Sequence, residues 1–79
     1  AYGYQLLGGG SAADAVAIFR ENVKRHPESW NAHDSLAEGL VALGKTDEAV
    51  ATYRKALAMA PEAQKGRIQG ILDGLGKKP

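Results

Sequence analysis

GSAADAVAIFRENVKRHP, from Gly10 to Pro27, and GKTDEAVATYRKALAMAP, from Gly44 to Pro61, are two versions of one phrase set 34 residues apart. Gly, Ala, Val, Ala, Arg and Pro recur at matched places, and Phe19 is answered by Tyr53. Self-similarity at a fixed period of this length marks a supersecondary unit that stacks on copies of itself. Within the phrase, Ala15, Val16, Phe19 and Val23 fall on one helical stripe, and Ala49, Val50, Tyr53 and Leu57 repeat it. Pro27 and Pro61 each disfavour helical geometry at the residue before them, which closes the helix.

Working outward, the chain reads as five helices with no segment in the strand period. Tyr2, Leu6 and Leu7 share a face of the first, which stops at Gly8-Gly9-Gly10. Ser11 and Asp14 make a capping-box-like start to the second. Ser29 is the expected N-cap of a third helix bearing Leu36, Ala37, Leu40 and Leu43 and ended by Gly44. A fourth is predicted from about Thr46 to Met59, with Asp47 and Glu48 near its start. A fifth is predicted from about Glu62 to Leu75, with Ile68, Ile71, Leu72 and Leu75 in helical spacing. The fold class is therefore all-α.

Composition narrows the function classes. Seventy-nine residues make one small domain, at a size where a single core is marginal. No cysteine is present, so neither disulfides nor thiolate metal sites can staple it, and the compartment stays open. Ten basic against nine acidic residues give a net charge of +1, too balanced for a nucleic-acid footprint. The apolar runs are too short for a membrane span, and no signal-peptide pattern opens the chain.

Helix pairs at this period, with small residues at the crossings and proline closing each unit, resemble the tetratricopeptide repeat. The second unit carries Leu36-Ala37, Leu40, Gly44, Ala49, Tyr53, Ala56 and Pro61. The first carries Gly3, Leu6, Gly10, Ala15, Phe19 and Pro27 but lacks the opening turn of its first helix. Asn22 replaces the small residue that Ala56 supplies. His33 stands where the family has a large aromatic, and Trp30 is the expected substitute. The resemblance implies an α-solenoid fragment of about five helices. Its units are 1–27, 28–61 and a capping helix at 62–76, followed by a tail at 77–79. Shifting the capping helix by 35 residues rather than 34 places its apolar stripe on the core seam and leaves Gly66, Gly70 and Gly74 as a second stripe. Close packing of another backbone there competes with plain helix weakening. The phrase from Asn22-Val23 through Pro27 to Asp34-Ser35-Leu36 also resembles the repeat tails of some bacterial serine hydrolases of the β-lactamase/esterase type. That likeness implies that any catalytic machinery lies in another part of a longer protein.

Three motifs imitate chemistry. GLVALGKT, from Gly39 to Thr46, matches the phosphate-cradling loop pattern letter for letter, but that loop needs a strand before it. Here its apolar residues belong to a helix, so the expectation is an inter-helix turn. His33-Asp34-Ser35 holds every residue type of a hydrolytic triad, yet consecutive helical residues point about 100° apart and cannot relay a proton. His26 and His33 lack the partners of a zinc site. No catalytic residue, metal or cofactor is expected. Arg20, Lys24, Arg25, Arg54 and Lys55 gather on the second helix of each unit, as a solvated face or a surface for an anionic partner.

The family resemblance implies that the first helices of successive units line a groove for a protein or peptide. By register that groove takes Tyr4, Leu7, Asn31, Asp34, Glu38 and Val41, with Gln69 and Asp73 from the capping helix. Asp34 and Glu38 imply a basic or neutral partner segment. One and a half units plus a cap fall short of the three that such arrays usually need. Tyr2, Leu6 and the first-unit seam should therefore expose apolar area. That area would meet a host domain, a neighbouring repeat or a second copy of the chain. Since Ala1 opens mid-unit, the expectation is a piece of a longer protein, acting as an interaction module or as a structural or oligomerising appendage.

Overall fold

Residues 11–76 are described by a computed structural model, in which every regular element is helical. The helices are α1 (Ser11–Arg25), α2 (Trp30–Ala42), α3 (Thr46–Met59) and α4 (Glu62–Gly76). The expected helix around Tyr2–Leu7 and the Lys77-Lys78 tail lie outside the described residues, so four of the five predicted helices are described. These four match the sequence reading to within a residue or so at their ends.

Local chemistry explains the joints. α1 stops two residues before Pro27. Ser29 has extended backbone, and its side chain accepts a hydrogen bond from the Ala32 amide at 3.3 Å, satisfying one of the free donors that open α2. At the other end of α2, Gly44 takes φ +82°, the one positive φ among the described residues. Its amide donates to the Val41 carbonyl at 2.9 Å, and the Lys45 amide to the Leu40 carbonyl at 2.9 Å. That reciprocal pair is the Schellman closure of a helix, and a glycine enters its left-handed backbone without a Cβ penalty.

Short turns fold each helix back on the one before, and among the described residues close packing runs only between sequence neighbours: α1 on α2, α2 on α3, α3 on α4. Two apolar clusters lie along this row. Val16, Leu36, Leu40 and Ala49 form the first, with Phe19, Val23 and Leu43 half-buried around it. Ala37, Tyr53, Ala56, Ala60, Ile68 and Leu72 form the second, with Trp30, Val50, Leu57, Ile71 and Leu75 against it. α2 and α3 therefore contribute to both clusters, and α1 and α4 to one each.

Small residues set the crossings. Ala37, Ala49 and Ala56 are fully buried. Gly39 lets α1 come close: a Cβ there would sit 3.0 Å from Val16 Cγ2 and 3.2 Å from Phe19 Cδ2, and those side chains would have to give way. The first glycine of the phosphate-loop look-alike is thus the point where α1 approaches α2. On α4, burial of Ile68 and Leu72 follows the register in which the apolar stripe meets the core. A Cβ added at Gly66, Gly70 or Gly74 would meet no atom of another element within 4 Å, so close backbone packing does not explain them. They weaken α4 by about 1 kcal/mol each relative to alanine.

Candidate functional site

Helix geometry sorts the predicted groove residues. Asn31, Asp34, Glu38 and Val41 fall within about 80° of one another on α2 at roughly 100° per residue. Asn31, Glu38 and Val41 are exposed, and Asp34 is partly covered. The buried side of the same helix carries Ala32, His33, Leu36, Ala37, Gly39 and Leu40. Four predicted residues thus share one outward face. Tyr4 and Leu7 lie outside the described residues.

Gln69 and Asp73 are not brought to that face. The Gln69 side-chain amide donates to Asp73 Oδ1 at 3.0 Å, and the two residues border a cleft with Val50, Arg54 and Leu57 of α3. What reaches α2 from α4 is Arg67, whose Nη2 donates to Asp34 Oδ2 at 3.1 Å. The reason is angular. Ile68 and Leu72 point into the core, and Arg67 flanks them on one side while Gln69 and Asp73 flank them on the other. The register that buries Ile68 is readable from sequence; which flank turns toward α2 depends on how α4 crosses α3, and only the fold supplies that.

The Arg67 contact changes the charge of the face. Asp34 is matched, leaving Glu38 without an ion pair among the described residues. Asp34 Oδ1 is buried and has no protein hydrogen-bond partner. Tyr53, from α3, belongs to the same neighbourhood. Burial raises its phenol above the usual 10.0, the charges of Asp34 and Glu38 raise it further, and Arg67 pulls it back. Since the folded state holds this proton more tightly than the unfolded chain, the corresponding stability is complete below about pH 10 and is lost as pH rises through the folded-state value. Arg67→Gln is expected to raise the Tyr53 pKa further, and Asp34→Asn to lower it. Absorbance titration at 295 nm, taken as the difference from Tyr53→Phe in each background, measures both. A downward shift in Arg67→Gln would contradict the arrangement.

The imitations of chemistry are spent on structure. The amides of Gly44 and Lys45 are engaged by the carbonyls of α2, so they are not turned toward a phosphate. His33 is buried, and its Nε2–H donates to the Pro27 carbonyl at 2.8 Å, tying α2 to the preceding turn. Trp30 packs against the second apolar cluster. No group of three His, Cys, Asp or Glu side chains that could hold a metal ion occurs among the described residues. No helix among the described residues is long and apolar enough to cross a membrane.

In comparisons with known proteins, no family model, curated sequence or solved structure matches this chain.

Proposed function

We propose that the chain is a non-catalytic helical-repeat module of tetratricopeptide type that holds an extended segment of a partner protein against the outward face of α2. The observation that carries this reading is the division of α2 into two sides. One side is consumed by packing on α1 and α3, and the other presents Asn31, Glu38 and Val41 to solvent beside the Asp34–Arg67 pair. Val41 is one of two large apolar side chains exposed among the described residues. An amide, an unpaired carboxylate and an aliphatic side chain along one helix face suit a peptide that brings backbone hydrogen bonds, a basic group and an apolar anchor.

The 34-residue repetition and the neighbour-only packing both support the repeat assignment. Selection from a displayed peptide library with the 79-residue chain tests the function. Basic or neutral sequences are expected, and Glu38→Lys should weaken a selected basic peptide roughly fivefold, the scale of an exposed charge contact. If Glu38→Lys leaves every selected peptide unaffected, the face is not the binding surface.

A second reading, a structural or oligomerising appendage, draws on α1. Ile18 is 67% exposed, whereas Thr52, its counterpart 34 residues on, is 8% exposed. Phe19 and Asn22 share this outer side and border a shallow pocket with Ile18. A host domain, neighbouring repeat or second copy covering Ile18 would use it. Sedimentation of the full chain as a folded monomer at high micromolar concentration would remove the second-copy form of this reading.

A further inference from the structure

The face opposite the α2 groove carries a cleft of 380 Å³ that the groove reading does not use. It lies between α1 and α3, with α2 beneath. Val23, Leu36 and Ala51 give it an apolar floor. Its rim is charged: Arg20 and Lys24 from α1, and Glu48 and Lys55 from α3. Arg20 Nη2 lies 2.7 Å from Glu48 Oε2, so one carboxylate matches one of three cations and leaves two uncompensated. Of the clefts between α3 and α4, one carries Arg54 together with Asp73, and a more open one carries Arg54 and Lys65.

From this geometry we infer that the α1–α3 cleft binds an acidic peptide segment whose carboxylates flank an aliphatic residue. The cations recruit the carboxylates, and the floor accepts the aliphatic side chain. A volume of 380 Å³ suits one or two side chains rather than a folded surface. Glu48 acts as an internal competitor, occupying Arg20 until a partner carboxylate takes its place. The apolar floor favours a peptide over a polyanion that offers charge alone.

Glu48 gives the test an unusual sign. The probe is the peptide DELLE carrying an N-terminal fluorophore, titrated into the full chain, with NQLLQ and DEGGE as controls. Amide shifts from an unlabelled copy locate the site. Binding of DELLE with shifts at Lys24, Ala51 and Lys55 is expected, and both controls should bind at least roughly fivefold more weakly. Glu48→Gln should tighten DELLE roughly threefold by releasing Arg20, while Lys24→Glu with Lys55→Glu should weaken it about tenfold or more. All three positions are exposed, and circular dichroism checks that the fold persists. Four results would overturn the inference: no binding at millimolar peptide, shifts at Arg54 and Gln69 instead, equal binding of DEGGE, or a weaker complex with Glu48→Gln.

Discussion

Leu40→Ala is expected to lower the unfolding free energy by about 3 kcal/mol, within the range for truncating a buried leucine. Leu40 is fully buried between α1, α2 and α3, packed with Val16, Leu36 and Ala49. A chain of this length has roughly 4–12 kcal/mol of stability in total, so the substitution removes a large share of it. The loss should be global. α2 and α3 serve both apolar clusters, and a cavity in the first loosens the helices on which the second depends. Urea unfolding followed by circular dichroism measures the change, with a midpoint shift and little change in slope.

Ile68→Ala should cost a similar amount, about 3 kcal/mol, but confine it to one end. Ile68 is the other large side chain that is fully buried, and it fixes α4 to the second cluster. α4 packs closely on α3 alone and carries four glycines, at none of which an added Cβ would meet a neighbour within 4 Å. It meets α2 through the shared second cluster and through the Arg67–Asp34 pair, which is half exposed on the arginine side and worth at most about 1 kcal/mol. In a row with nearest-neighbour packing, an end unit can open while the centre stays folded. Amide exchange should therefore show protection lost across 62–76 and retained in α2 and α3. Uniform loss of protection would mean that the row behaves as one cooperative block.

The helices were legible because each is marked by chemistry that acts locally. Ser29 caps α2, Gly44 supplies the left-handed residue, and Pro27 and Pro61 stop what precedes them. The apolar stripes named the core, including the register that buries Ile68 and Leu72. Gly39 carried no reason of its own in the sequence beyond a rejected motif match, because what it meets is Val16 and Phe19 of another helix. The shared outward face was legible only on α2, where residues of one helix are grouped by angle alone. Across helices the reading failed in a specific way. It placed Gln69 and Asp73 where Arg67 stands, because the flank that α4 turns to α2 is set by the crossing and not by spacing. That exchange converts an expected cluster of acids into one matched pair and, among the described residues, one carboxylate outside any ion pair, Glu38.

Two ion pairs add a point about the whole row. Arg20–Glu48 joins α1 to α3, and Arg67–Asp34 joins α2 to α4. Each bridges helices that have no close packing with each other, and each sits at the edge of a proposed binding surface. A partner that takes over Arg20 or competes at Asp34 would act on helix spacing as well as on charge.

The central claim is that the outward face of α2 is a working surface. Amide chemical-shift mapping of the full chain with a library-selected basic peptide tests it most directly. The account predicts the largest shifts at Asn31, Asp34, Glu38, Val41 and Arg67, with roughly fivefold weaker binding in Glu38→Lys. Shifts confined to the α1–α3 cleft or to the outer side of α1, with the α2 face silent, would contradict it.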